Sequence, residues 1–325
     1  MIDTQLPLAY TGSKSKHHLF PVSRLSLIQS MKESENPKIA VLSAKIKSFP
    51  SLPSVVNHVL KITADPKSTV EELIRAISPD LALHTAILKI SNSAFFGRMR
   101  KVSSLKQALM VLGFSEIQNI VLSKAVFNSF KNIRPDSLFP IRKFWEHSFL
   151  CGLAAKIISH DLSEESNDFF VAGLIHDIGK LVILMAMPDD FRMIIRQSDP
   201  RSLHTIDAET KIIGAGHDRI GSSLLTRWMF PENLVKAVGF HHQPEKAPGD
   251  RLFPVIVHTA NRLSHMIPFP ENKSDSKDME NEFSNIIHTG KLSGLDFNLK
   301  MLTRYREELI AGKEQEKDIL ELFLA

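Results

Sequence analysis

The chain has 325 residues, with 40 Lys and Arg against 36 Asp and Glu, and a formal net charge of +4. Its one cysteine, Cys151, excludes an internal disulfide framework and suits a reducing compartment. No apolar run reaches the length of about 18 residues that predicts a transmembrane helix, and the N-terminus lacks a secretion-signal pattern. The small, scattered surplus of positive charge argues against nucleic-acid binding. We therefore expect a cytoplasmic protein that does not bind membranes.

The polar residues 1–36, with the clusters KSKHH and ESEN, predict a mobile or loosely docked tail. After them, apolar residues recur at three- and four-residue spacing, as in VVNHVLKI and VEELIRAI, and predict helices. Asp80 is expected to cap the helix LALHTAILKI, and Asn92 to hold the turn after it. Gly113 is expected to break the helical pattern before a further helix.

Prolines near residue 135 divide the helical region into an N-terminal half, 37–135, and a second half, 136–267. No segment of the second half shows the period-two alternation of an exposed strand, so the predicted class is all-α. A charged linker is predicted at 268–282, and one or two amphipathic helices at 283–325. In the second half, helices are predicted at 141–160, 167–186, 188–198, 201–213, 218–229, 231–241 and 250–267.

His176 and Asp177 are adjacent inside FFVAGLIHDIGKLVILMAM, a segment that is otherwise almost wholly apolar. The pattern predicts a buried helix, on which neighbouring side chains lie about 100° apart and can converge on one site. A buried carboxylate is costly unless it is paired or binds a metal. Imidazole beside carboxylate suits Zn, Fe, Mn or Ni. For this pair alone, a core histidine hydrogen-bonded to the aspartate is the simpler interpretation.

Further histidines lie on other predicted helices. His147 lies in FWEHSFLCGLAAKII, His217 opens HDRIGSSLLTRW, and the pair His241 and His242 ends ENLVKAVGF. Four helices thus each direct a histidine toward one bundle interior, where facing helices commonly build metal sites. Packing does not readily explain the whole set, so we predict a metal site that includes Asp177.

The order His, His-Asp, His, His-His resembles the HD superfamily of metal-dependent phosphohydrolases, and HDIGK resembles its HD-GYP branch. The flanking segments resemble the HDOD family more specifically, from LPSLPSVVNHVLKI through SSLKQALMVLGFSEIQNIVL to VHTANRLS, in the right order over about residues 40–266. This resemblance implies a helical HD-like bundle preceded by an N-terminal helical subdomain, in a regulatory domain of bacterial signalling.

The resemblance also implies the ligands of one or more divalent transition-metal ions, Fe, Mn, Zn or Ni. Asn261 stands in HTANRL where the HD pattern closes with Asp, and is a degenerate ligand position. An amide oxygen brings no negative charge, so metal affinity should fall, and a carboxylate able to deprotonate water is lost. The other ligands implied are His147, His176, Asp177, His217, His241 and His242.

Two features bear on activity. The GYP motif expected after the His-His pair is absent, since the chain reads HHQPEKAPGD, and this argues against hydrolysis of cyclic di-GMP. Lys180, one helical turn after His176, is the candidate catalytic residue because it could approach a substrate phosphate. A lysine that extends from an apolar helix to solvent explains it equally well.

We therefore expect a bacterial signal-transduction module of the HDOD type that binds metal and is catalytically weak or silent. Its expected partners are signalling proteins, with a cyclic dinucleotide or another nucleotide as a ligand. The alternative is a working metal-dependent phosphohydrolase that acts on a nucleotide or phosphate ester.

Overall fold

The computed structural model describes residues 36–92, 101–133, 136, 138–164, 168–198, 205–267, 276–315 and 320–321. Across these residues the regular elements are helices, apart from an isolated β-bridge between Asp136 and Phe139. The predicted all-α class is therefore confirmed. Except for Asn36, the predicted tail 1–36 lies outside the described residues.

The helices of the N-terminal half are α1 (Pro37–Ser48), α2 (Ser54–Ala64), α3 (Val70–Ile77), α4 (Leu81–Ser91) and α5 (Leu105–Phe130). The second half contains α6 (Ile141–Asp161), α7 (Asp168–Ile175), α8 (Ile178–Ala186), α9 (Pro188–Gln197), α10 (Thr205–Ile213), α11 (His217–Arg227), α12 (Glu232–Phe240), a 3₁₀ turn (Pro244–Lys246) and α13 (Leu252–His265). The helices α14 (Ser276–Ser293) and α15 (Leu299–Gln315) follow.

Local side chains set the bounds of the N-terminal helices as predicted. Asp80 caps α4 by accepting a hydrogen bond from the Leu83 backbone N–H at 2.9 Å. The Asn92 amide group donates to the Val102 carbonyl and accepts from the Val102 N–H, both at 2.8 Å, and so links the end of α4 to the residues just before α5. Gly113 interrupts α5 with a φ of 81°, a left-handed conformation that favours glycine.

The first helix packs against the second half of the chain. Helix α1 contacts α8 and α11, and Lys38 Nζ lies 2.6 Å from Asp190 Oδ1. In the segment after α1, the Pro50 carbonyl accepts a hydrogen bond from Trp228 Nε1 at 3.0 Å. Phe49 also packs against the Trp228 ring. The two halves therefore share packing, while the domain boundary near residue 135 stays a prediction.

Helix α6 is central to the second half because α7, α13 and α15 all pack against it. Helix α8 packs on α11, which in turn packs on α12, so the helices that carry the candidate histidines are neighbours. Helix α14 begins at Ser276, so residues 276–282 are helical and the prediction of a linker there is wrong. Amphipathic helix was predicted only from residue 283, and α14 begins before that residue.

Two apolar stretches of the described residues, Leu105–Phe130 and Asp168–Ala186, are long enough to cross a membrane by length and composition alone. Buried residues make up 61% and 83% of their most apolar windows, as expected for core helices. Gly113 interrupts the first stretch, and the second is divided between α7 and α8. Packing inside the fold thus accounts for their apolar character.

A polar face of α5 is buried between the two halves. Glu116, Asn119 and Ser123 are each at most 5% exposed. Among the described residues, Glu116 Oε2, both polar atoms of the Asn119 amide and Ser123 Oγ make no hydrogen bond. Burial raises the pKa of Glu116, Lys156 lowers it and Asp168 raises it again, with a result of about 7.

We predict that Glu116 makes stability depend on pH. Because its folded pKa of about 7 exceeds the ordinary value of 4.5, the carboxyl stabilises the fold fully below pH 4.5 and loses this contribution as pH rises through 7. Relative to Glu116→Gln, the wild type should lose on the order of 3 kcal/mol of unfolding free energy across that window. Urea unfolding from pH 4.5 to 8 measures this, and exposed Glu71→Gln is the control. Parallel curves for wild type and Glu116→Gln would contradict the prediction.

Candidate metal centre

The His176 and Asp177 side chains lie at a break between two helices. The apolar pattern predicted one helix over 167–186, and this is wrong, because α7 ends at Ile175 and α8 begins at Ile178. Asp177 has φ −96° and ψ 9°, outside helical geometry. His176 Nδ1 bonds to the Gly173 carbonyl oxygen at 2.7 Å, which fixes the ring. The two side chains converge because the chain turns here, rather than through helical spacing.

Gly179 allows α11 to approach this turn. A Cβ atom at residue 179 would lie 1.9 Å from the His217 carbonyl oxygen and 2.8 Å from the Gly221 nitrogen. Only glycine therefore permits the observed packing of α8 on the first turn of α11. The close approach brings His217, the first residue of α11, to the Asp177 carboxylate.

One oxygen of Asp177, Oδ1, faces His217 and His241, and His242 lies beside them. His217 Nε2 lies 2.9 Å from Asp177 Oδ1, and His241 Nε2 lies 3.7 Å from the same oxygen. His217 Nε2 is also 3.4 Å from His241 Nε2 and 3.0 Å from His242 Nε2. Donors bound to one ion at about 2.1 Å are separated by about 3.0–3.4 Å in octahedral or tetrahedral geometry. The three separations that involve His217 Nε2 match this range to within about 0.1 Å, and the separation between His241 Nε2 and Asp177 Oδ1 exceeds it by about 0.3 Å. A small shift of the His241 ring would therefore place these donors around a single transition-metal ion.

The other oxygen, Asp177 Oδ2, faces two histidines and a lysine. His176 Nε2 lies 3.4 Å away and His147 Nε2 lies 3.9 Å away. Lys180 Nζ is closer, at 2.6 Å, and forms an ion pair with this oxygen. The predicted ligands from four parts of the chain are thus brought together around one carboxylate, in two groups that share Asp177.

Hydrogen bonds at Nδ1 direct the Nε2 atoms into the site. His241 Nδ1 bonds to the Val238 carbonyl at 2.8 Å, as His176 Nδ1 does to Gly173. A carbonyl oxygen only accepts, so Nδ1 carries the proton in both rings and Nε2 is the atom left to bind a metal. The side chains of His176, His217 and His241 have no exposed surface. His147, Lys180 and His242 are partly exposed, and we call these three residues the rim of the site.

The electrostatics of the site favour positive charge beside Asp177. Burial alone would raise the pKa of Asp177, but His176, Lys180 and His217 outweigh burial and hold the pKa well below its usual range. Burial would lower the pKa of His176, yet Asp177 raises it to about 10. Burial and the charges of His176 and His217 hold the pKa of His241 well below its usual value. A bound metal ion would neutralise the Asp177 carboxylate in place of the protonated histidines, which would release their protons on binding it.

Glu209 on α10 is a residue of the site that the sequence analysis missed. Its side chain is 1% exposed, and its Oε2 accepts from the His217 backbone N–H at 2.6 Å and lies 2.7 Å from His217 Nδ1. Burial alone would lower the pKa of His217, but Glu209 and Asp177 raise it to about 9. The available signal was a glutamate on the same helical face as Ile206 and Ile213, where an apolar residue is expected.

Asn261 lies on α13 and is 8% exposed. Its Oδ1 makes no hydrogen bond among the described residues. One turn later, Ser264 Oγ donates to the Asn261 carbonyl at 2.7 Å and lies 3.4 Å from His147 Nδ1. His258, on the same helix, bonds through Nδ1 to the His241 carbonyl at 2.7 Å. Helix α13 thus lines the His147 side of the site.

Solved structures share this fold. An HDOD domain protein of unknown function from Geobacter sulfurreducens superposes with a TM-score of 0.72 at 21% identity, over 91% of this chain and 98% of that chain. A provisionally named phosphohydrolase from Shewanella amazonensis SB2B gives a TM-score of 0.67 at 22% identity, over 87% and 98% of the two chains.

The sequence also matches known proteins directly. An uncharacterized protein of Treponema pallidum (strain Nichols) is 24% identical over 231 residues, which are 70% of this chain and 44% of that protein. The chain therefore spans less than half of this relative's length. The HDOD domain family model matches residues 49–244, which is more than half of the chain. With the all-α fold and the histidine cluster already described, this match establishes that the chain belongs to the HDOD family.

Proposed function

We propose that this chain is a metal-binding regulatory module of bacterial signal transduction that is catalytically weak or silent. The observation that carries the proposal is the nature of the donor set: five histidines surround one carboxylate, Asp177, and Asn261 stands where the HD pattern has its closing aspartate. Imidazole-rich sites prefer transition metals over Mg²⁺ or Ca²⁺, which favour oxygen ligands. Fe, Mn, Zn and Ni are the candidate ions.

The weakness in catalysis follows from the lack of a free carboxylate that could act as the base. A bound metal would supply positive charge that polarises a phosphoryl oxygen. Hydrolysis also requires a group that accepts a proton from water. Asp177 is ion-paired to Lys180, Glu209 is engaged with His217, and the Asn261 amide does not accept a proton in this way. The residues around the metal position are therefore better suited to binding than to turnover.

In this proposal the module acts through contacts with signalling proteins, and a cyclic dinucleotide or another nucleotide is its ligand. The rim residues His147, Lys180 and His242 are partly exposed members of this site. Lys180 and a metal ion would both attract a phosphate group to this rim. Occupancy of the rim could then alter the packing of α8, α11 and α12, which meet at the site.

A metal-dependent phosphohydrolase is the alternative. The specific observation in its favour is Lys180, which lies at the rim with 16% of its side chain exposed and could contact a substrate phosphate. The name of the Shewanella protein agrees with this possibility. Robust metal-dependent hydrolysis of a nucleotide or phosphate ester by the wild type, lost in His176→Ala, would establish the enzyme and overturn the regulatory proposal.

We predict that protein purified from a metal-replete culture carries transition metal. The double variant His176→Ala/Asp177→Ala should lose it, because Asp177 is the carboxylate shared by both donor groups. Elemental analysis by inductively coupled plasma mass spectrometry measures the content, with circular dichroism to confirm the fold. His288→Ala, at an exposed position on α14, is the control and should retain the metal. Metal-free wild type would leave the cluster with a purely structural role.

We predict that Glu209 strengthens metal binding by orienting His217. Glu209→Gln should weaken affinity about 10–100-fold, the effect typical of residues that hold a ligand in place. Competition with a chromophoric chelator measures the dissociation constant. Asp207→Asn, at an exposed position on the same helix, is the matched control. An unchanged dissociation constant in Glu209→Gln would show that the Glu209–His217 contact does not support the site.

We predict that the wild type hydrolyses cyclic di-GMP poorly or not at all, and that Asn261→Asp binds metal more tightly. The substitution adds a negative charge to a buried position whose Oδ1 has no hydrogen bond among the described residues. Turnover assays under anaerobic conditions with Mn, Fe and Mg, together with chelator competition, test both statements. Weaker metal binding by Asn261→Asp would argue that residue 261 does not contribute to the metal position.

A further inference from the structure

The two oxygens of Asp177 have different surroundings. Oδ1 has His217 Nε2 at 2.9 Å and His241 Nε2 at 3.7 Å, with His242 Nε2 3.0 Å from His217 Nε2. Oδ2 has histidine nitrogens at 3.4 and 3.9 Å, and the Lys180 ammonium at 2.6 Å. A cationic group already lies in direct contact with Oδ2.

Lys180 is held in this position by the first turn of α8. Its backbone N–H donates to the Asp177 carbonyl at 2.9 Å, and the spacing of three residues returns its side chain to the Asp177 carboxylate. The Asp177 side chain is 3% exposed and the Lys180 side chain 16% exposed, so water screens this ion pair weakly. A divalent ion bound through Oδ2 would have to compete with the ammonium for one oxygen and would be repelled by its charge.

The two donor groups therefore differ in their capacity for metal. The Oδ1 group has three histidines, and His217 Nε2 lies 2.9, 3.0 and 3.4 Å from Asp177 Oδ1, His242 Nε2 and His241 Nε2, separations typical of donors that share one ion. The Oδ2 group has two histidines, His147 and His176, and the Lys180 ammonium lies closer to Oδ2 than either of them. Among the described residues, no second carboxylate belongs to either group, so nothing else offsets the repulsion from Lys180.

We propose that the Lys180 ammonium takes the place of a second metal ion and restricts this site to one ion, bound by Asp177 Oδ1, His217, His241 and His242. The inference rests on the proposed function, because it presupposes that the site binds metal. It assigns Lys180 a role in metal stoichiometry that does not depend on turnover. Removing the ammonium frees Oδ2, so that His147, His176 and Asp177 can hold a second ion.

The experiment compares full-length wild type with Lys180→Met and Lys180→Arg. Each protein is loaded with Mn²⁺ under anaerobic conditions, separated from excess ion by gel filtration and analysed for manganese content and by electron paramagnetic resonance. Wild type and Lys180→Arg should each retain one ion with the six-line signal of isolated Mn²⁺. Lys180→Met should retain two ions and show a spin-coupled signal. Lys236→Met, which removes a partly buried lysine paired with Glu232, is the matched control and should behave as wild type.

Lys180→Ala removes the same ammonium with a smaller side chain and must agree with Lys180→Met, so a folding defect in one variant does not leave the question open. Two ions in the wild type, or one ion in both Lys180→Met and Lys180→Ala, would overturn the role of Lys180. Absence of manganese from all variants, also after loading with Co²⁺ or Zn²⁺, would overturn metal binding itself and with it the proposed function. The two failures are thus distinguishable.

Discussion

The negative charge of Asp177 lies almost completely inside the protein, and the arrangement of the second half depends on how that charge is compensated. A buried carboxylate in an apolar environment is strongly unfavourable unless cations or hydrogen-bond donors surround it. In this fold the compensation comes from Lys180 on α8, from histidines on α6 and α11, and from His241 just after α12. These helices are held around one point that is polar, while the residues that pack behind them are apolar.

This constraint extends outward from Asp177 to the backbone. His217 reaches the carboxylate because Gly179 leaves room for the first turn of α11, and Glu209 then holds the His217 ring from the opposite side. Backbone carbonyls hold the rings of His176 and His241 in the same way. A substitution at Gly179 would therefore disturb the site without touching any donor atom. The geometry of the metal position depends on close helix packing as much as on the ligands themselves.

Much of the fold could be predicted from the sequence because helical periodicity and caps are local signals. Asp80, Asn92 and Gly113 act as their residue types predict. The break at residues 176–177 could not be predicted, because the surrounding residues are apolar on every side and give no periodic signal. Residues 276–282 appeared to be a linker because their charge hides the amphipathic pattern that continues into α14.

The sequence predicted most residues of the candidate site but not the contacts between them. The histidines and Asp177 were evident from their unusual positions and from the family resemblance, whereas Glu209 contacts His217 from a separate helix through a tertiary contact that spacing does not reveal. The asymmetry between the two oxygens of Asp177 likewise depends on side-chain placement, since the sequence gives Lys180 a position on α8 but not its partner.

X-ray absorption spectroscopy at the edge of the metal carried by the purified protein tests the central claim most directly. If the Nε2 atoms converge on one ion as the geometry indicates, the spectrum should contain the multiple scattering of about three imidazole rings, with nitrogen and oxygen neighbours at about 2.0–2.2 Å and no sulfur. Oxygen neighbours alone, or a sulfur neighbour from Cys151, would contradict a metal centre built from His217, His241, His242 and Asp177.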